Sequence, residues 1–186
     1  GTGFLIAPDL LVTNRHVVSL LSNGTDELDA GVATVAFHQE YGRSDPPDAT
    51  VAIDRVVAVH PQLDMALLGV GGSGRQPLPA LVRDVVAGER VVVVGYPQKD
   101  TARNPIFAES VYNGRYGVKR AALGEVIDVA GLQFWHDCST LGGNSGSPVL
   151  SLTDRKVVGI HFSGFFMYRN QAVASSSLME FVEEYR

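Results

Sequence analysis

One cysteine, Cys138, stands in a chain of 186 residues, so no disulfide can form within it. That excludes the stapled architecture of many small secreted domains, while leaving a cytoplasmic or a secreted setting open. Long apolar runs are missing too. The longest, such as Val91 to Val94, are far too short to span a bilayer as a helix. An excess of basic residues is also lacking: 15 Lys and Arg face 20 Asp and Glu, for a net charge of −5. Without a basic footprint, nucleic acid and anionic membranes are not expected partners, and a protein or peptide is. There is no HExxH motif and no cysteine pair, and the glycine-rich run from Gly69 lacks the Lys-Ser/Thr ending of a phosphate loop. No metal and no cofactor are therefore expected. The chain opens at Gly1 without methionine or signal peptide, so it reads as an excised or processed portion, with room for flanking domains in the full-length protein. Usage rich in Ala, Val, Gly and Asp has a bacterial cast.

What is present is a globular composition, 45% hydrophobic with 19% charged residues. A chain of this length can bury roughly 70% of its unfolded surface. Strand patterns dominate. "GTGFLIAPDLLVTNRHVV" reads as two short strands turning at Ala7-Pro8-Asp9, and "GVATVAFH", "TVAIDRVVAVH" and "MALLGV" follow. Gly69 to Pro79 is the best linker, with four glycines and two prolines. Beyond it come "RVVVVGYP", "YGVKRAALGEVIDVAG", "LQFWHD", "SPVLSL", "KVVGIHFSG" and "QAVAS". Strands about ten residues apart without long helices between them point to an all-β barrel or sandwich. One helix is expected at the end, where Ser177 and Glu180 have capping-box spacing and Leu178, Phe181 and Val182 share a face. Gln98 to Arg115 reads as a long polar connection reaching over a cleft.

The chemistry concentrates in "TLGGNSGSPVL", Thr140 to Leu150. A serine hydroxyl becomes a useful nucleophile when a neighbouring imidazole takes its proton. The attacked carbonyl also needs donors aimed at the oxyanion it becomes. Glycines around Ser145 permit the backbone angles that let the amides of Gly143 and Ser145 point into one pocket. His16, in "LLVTNRHVV", is read as lying at a strand end, and Asp64, in "LDMALL", as a carboxylate entering a buried strand, costly unless partnered. A carboxylate bonded to an imidazole fixes its tautomer, and the order His, Asp, Ser is one of three known for such triads. The G-x-S-x-G elbow of α/β-hydrolases is absent, because Ser147 stands where its second glycine belongs.

Together "VTNRHVV", "LDMALL" and "TLGGNSGSPVL" resemble the trypsin-like serine peptidases of chymotrypsin fold, nearest to the bacterial branch of V8-type glutamyl endopeptidases. The similarity runs nearly end to end. It implies two six-stranded antiparallel β-barrels with a short C-terminal helix: residues 1–75 carrying His16 and Asp64, and residues 76–186 carrying Ser145 and the specificity pocket. It assigns base to His16, orienter to Asp64, nucleophile to Ser145, and oxyanion donors to Gly143 and Ser145. Six residues before the nucleophile, Ser139 takes the pocket base, where an acid would be needed for Arg or Lys. Thr140 and His161 match the residues with which glutamate-specific relatives hold a carboxylate, and Ser163 and Gly164 complete the tentative lining. The strand continues "FSG" where "WGG" is usual.

The expected function is thus a serine endopeptidase acting through an acyl-enzyme, with an acidic or small neutral residue preferred over Arg or Lys before the scissile bond. The rival is a latent or non-catalytic module of the same fold that binds a protein segment or senses one. His38, His60 and His136 are read as structural or exposed, Cys138 as a small buried hydrophobe, and Arg15 as facing away from the site.

Overall fold

A computed structural model describes residues 1–22, 28, 33–37, 50–99, 105–165 and 168–186. His38 and part of the Gln98 to Arg115 connection lie outside the described residues. In the first half, β1 (Phe4–Ala7), β2 (Leu10–Thr13), β3 (Thr34–Ala36), β4 (Thr50–Val59) and β5 (Ala66–Val70) form one sheet in the order β1-β2-β5-β4-β3. In the second, β6 (Arg90–Gly95), β7 (Arg120–Ala130), β8 (Gln133–His136), β9 (Pro148–Ser151), β10 (Val157–Phe165) and β11 (Arg169–Ala174) close into a six-stranded barrel. Every paired strand is antiparallel. The all-β, two-unit architecture with a C-terminal helix agrees with expectation. The first unit, however, is a five-stranded sheet among the described residues rather than a six-stranded barrel.

Strand alternation explains why several strands are buried along their whole length. In β5, Ala66, Leu68 and Val70 enter the core of the first half, while Leu67, like Met65 just ahead, enters a core shared by both halves. On β10, Val157 and Ile160 face that shared core and Val158 faces the barrel interior. Phe4, Val12 and Leu63 meet Val173, Leu178 and Phe181 there, so a continuous apolar layer fixes one half against the other. Residues 71–79 form no regular element, so the linker starts two residues later than read, Gly69 and Val70 completing β5.

Three helices depart from or refine the sequence reading. The segment after β2 turns into α1 (Arg15–Leu21), so His16 lies at a helix start and not at a strand end. Asn14 stands at the N-cap without capping through its side chain, and Val17 and Val18 bury the inner face. The connection after β6 contains α2 (Pro105–Tyr112). The terminal helix, α3 (Ser175–Glu184), buries Leu178, Phe181 and Val182 as predicted, but it begins after Ala174. Ser177 is therefore interior and buried, and the Ser177–Glu180 capping box does not form.

Candidate active site

Asp64 holds His16 at two points. Its Oδ2 accepts from the ring Nδ1 at 2.6 Å, and its Oδ1 accepts from the His16 backbone N–H at 3.1 Å. The carboxylate sits on a bend just before β5 rather than inside the strand, and the partner its burial requires is His16 itself. Burial raises the Asp64 pKa, but the hydrogen bonds from the His16 ring and amide, with the charges of His16 and Arg15, outweigh it and leave it below the usual carboxylate range. An ionised Asp64 keeps the imidazole proton on Nδ1 and leaves Nε2 as the basic nitrogen.

The bend carrying Asp64 is itself anchored. Asn14 Nδ2 donates to the Asp64 carbonyl at 2.7 Å, and Arg15 Nη1 donates to the carbonyls of His60 and Pro61. Arg15 thus faces the Asp64 loop and not away from it, because the chain there is helical. His60 Nδ1 accepts from the N–H groups of Gln62 and Leu63 at 3.1 and 2.9 Å, tightening the same turn.

Ser145 lies on the loop before β9, partly exposed. Four successive carbonyls of this loop are tied back into the protein. Gly142 O accepts from Gln98 N–H at 2.7 Å, Gly143 O from Thr2 Oγ1 at 2.7 Å, Asn144 O from Ser147 N–H at 2.9 Å, and Ser145 O from Thr2 N–H at 2.7 Å. A trans peptide points its N–H opposite its C=O, so the amides that follow face the other way. Asn144 N–H is used by Leu141 O and Gly146 N–H by His161 O. Those of Gly143 and Ser145 make no hydrogen bond among the described residues. Gly143 has φ 92°, a conformation that favours glycine. Among the described residues no hydrogen bond joins Ser145 Oγ to His16; such contacts are commonly long before substrate binds.

Ser145 opens onto a pocket of about 230 Å³ shared with Thr140, His161, Ser163, Gly164 and Asn170. Four of the five tentative specificity residues are therefore together. Ser139 is the exception: it is exposed and borders cavities on the far side of the Thr140 wall, one of about 310 Å³ that includes Tyr112 of α2. The chain at Ser139 is turned outward, with its carbonyl accepting from Tyr112 Oη at 3.2 Å.

One lining residue, Asn170, escaped the sequence reading, and His136, read there as structural or exposed, proves to stand buried behind the pocket wall. Asn170 accepts from Thr140 Oγ1 at 2.8 Å and donates to Cys138 O at 2.7 Å, fixing the wall. His136, fully buried, stands with Nε2 3.2 Å from His161 Nδ1. Burial holds both imidazoles neutral. It lowers His136 to about 4 and His161 to about 3, the charges of His136 and His16 further opposing a proton on His161. The strand alternation of "QFWH", which turns Phe134 and His136 inward together, was the available signal for His136. Burial also pushes the Cys138 thiol up to about 12, consistent with an inert buried residue. No cluster of metal-ligating side chains occurs among the described residues.

The family model for the trypsin-like peptidase domain matches residues 1–160. A glutamyl endopeptidase of Staphylococcus epidermidis is 25% identical over 195 residues, which cover all of this chain and 60% of that protein. The chain thus spans well under two thirds of that relative's length. Among solved structures, a serine endoprotease from Yersinia pestis has a TM-score of 0.68 at 17% identity, covering 100% of this chain and 57% of the other. The Rv3671c protease of M. tuberculosis in its active form also reaches 0.68, at 22% identity, with 100% and 73% covered.

Proposed function

The chain belongs to the trypsin-like peptidase domain family, and from that premise we propose that it is a serine endopeptidase hydrolysing peptide bonds through an acyl-enzyme. Ser145 Oγ attacks the scissile carbonyl while His16 Nε2 takes its proton. Asp64 holds the ring and stabilises the imidazolium, and the Gly143 and Ser145 amides receive the oxyanion. His16 then donates to the leaving amine, and water repeats the sequence on the ester. The observation that carries this reading is the two-point hold of Asp64 on His16. The Gly143 and Ser145 amides, unpartnered among the described residues, support it. A binding-only role is not favoured, since it has no use for an imidazole set in one tautomer by a carboxylate.

We propose further that the residue before the scissile bond is acidic or small and neutral rather than Arg or Lys. No carboxylate is among the residues lining the Ser145 pocket, so a cationic side chain would lose its hydration there without a counter-charge. The His136–His161 pair has two neutral tautomers. If His161 donated its Nδ1–H to His136 Nε2, the buried His136 Nδ1–H would be left without an acceptor, because that atom has no partner among the described residues. The opposite arrangement leaves a lone pair unpaired instead and sets His161 Nε2–H as a donor into the pocket, able to meet a carboxylate or amide oxygen. Thr140 spends its proton on Asn170 and presents lone pairs, so His161 and Ser163 are the donors for an acidic side chain. The glutamyl endopeptidase relative supports the same preference.

Cleavage of a diverse peptide library, read by mass spectrometry with Ser145→Ala as control, tests both parts. Cuts are expected only with the wild type, after Glu or small neutral residues in preference to Arg or Lys. Cuts that persist in the Ser145→Ala protein, or that follow Arg and Lys, contradict the first or second part respectively.

A further inference from the structure

We infer that Thr2 is a positioning residue that clamps the nucleophile loop from the opposite half of the molecule, holding the two peptides that flank the one carrying the Ser145 N–H. This deepens the peptidase reading and rests on it. Thr2 is 5% exposed and stands 141 positions from its partner Gly143, yet it holds two of the four inward-turned carbonyls of the nucleophile loop. Its hydroxyl donates to Gly143 O at 2.7 Å and accepts from Tyr96 N–H at 3.2 Å; its N–H donates to Ser145 O at 2.7 Å. Its own carbonyl accepts from Thr13 Oγ1 at 2.8 Å. One residue therefore joins the strand leading into His16 to both sides of Asn144.

The need for such a clamp follows from the glycines. A glycine backbone has the widest conformational choice, and two of them precede Asn144. Freeing the Gly143–Asn144 peptide releases rotation at Gly143, which would shift the peptide that follows and carry its Ser145 N–H off its line. The bond from Thr2 Oγ1 fixes the carbonyl of that peptide, and the bond from Thr2 N–H fixes the next but one. Valine at position 2 keeps the shape but removes the hydroxyl that Gly143 O and Tyr96 N–H share in a part-buried place. Serine keeps both bonds. A side chain with no atom in the pocket would thus act on the transition state alone, because the oxyanion forms only there.

The test compares wild type with Thr2→Val, Thr2→Ala and Thr2→Ser, measuring kcat and KM on a peptide amide and inhibition by a matched peptide boronate. The boronate's tetrahedral adduct occupies the oxyanion position, whereas a product-like peptide acid reports ground-state binding. Thr2→Val and Thr2→Ala are expected to lower kcat about 3- to 10-fold, the equivalent of one lost hydrogen bond. KM and peptide-acid binding should stay within about twofold, boronate affinity should fall by the same factor as kcat/KM, and Thr2→Ser should recover wild-type values. If Thr2→Val does not fold, Thr2→Ala against Thr2→Ser isolates the same oxygen. Equal kcat and boronate affinity in Thr2→Ala and Thr2→Ser overturn the inference, as does a loss confined to KM or to melting temperature. A folded wild type that neither cleaves nor takes the boronate overturns the peptidase reading instead.

Discussion

At the residue scale, Asp64 determines which nitrogen of His16 is basic, because only an acceptor at Nδ1 leaves Nε2 without a proton. Asp64→Asn replaces that acceptor with an amide that can donate, so the ring can adopt the opposite tautomer. We expect kcat to fall by about 10⁴-fold with the fold intact; a loss under tenfold in steady-state kinetics would show that Asp64 does not orient the base. The buried pair His136 and His161 makes a second prediction. Both have folded pKa values depressed from 6.5, to about 4 and about 3. Below pH 6.5 the unfolded chain therefore binds protons that the native state refuses, and stability is complete above that value and lost as pH falls. Each histidine contributes a slope of up to about 1.4 kcal/mol per pH unit. The depressed carboxyl of Asp64 acts in the same direction at lower pH. Urea unfolding at pH 7 and pH 5 should show the loss, reduced in a His136→Gln/His161→Gln protein; equal stability at the two pH values would contradict the neutral pair.

At the scale of the element, the loop 142–147 depends on contacts that no local pattern encodes. Gly146 has φ 87°, and a Cβ there would collide with the Thr2 carbonyl and Thr13 Oγ1. Gly146→Ala should cost at least about 1–3 kcal/mol in urea unfolding and lower activity, since the strain falls beside the nucleophile; an alanine variant as stable and active as wild type would mean that the loop is not held as described. This element also shows what was legible. The Gly-Ser spacing pointed to the loop, and unusual polar residues in apolar contexts singled out His16 and Asp64, which the structure joins by a hydrogen bond, although the strand contexts read for them proved to be a helix start and a bend. The roles of Thr2 and Asn170 were not legible, as their hydrogen bonds span 141 positions for the first and 30 and 32 for the second. Helix α1 was missed because Val17 and Val18 suit a strand as well as a short helix; Asn14 at the N-cap was the available cue. Ser139 was misplaced because its position came from counting back along the chain, and the outward turn at Tyr112 lies beyond any count.

At the scale of the whole molecule, His16 and Asp64 come from the five-stranded half and Ser145 from the barrel, so their approach depends on the shared core. Phe181 from α3 fills that core and packs edge-on against His60, with ring centroids 5.0 Å apart, on the turn that carries Asp64. Phe181→Ala should cost about 3–5 kcal/mol and lower the unfolding midpoint of both halves together, read by tryptophan fluorescence and far-ultraviolet circular dichroism. Two separated transitions in the wild type would show instead that the halves are independent. The strands and the barrel closure were readable in outline, since eleven apolar segments without long helices leave few alternatives. The five-stranded order of the first sheet among the described residues was not, because strand order depends on edges meeting in space.

Labelling with a fluorophosphonate, followed by intact mass and site mapping, addresses the nucleophile directly. One adduct per wild-type chain, located on Ser145 and missing from folded Ser145→Ala, is the expected result. Folded wild-type protein that takes no adduct, or takes it on another residue, would contradict the assignment of Ser145 as the activated nucleophile.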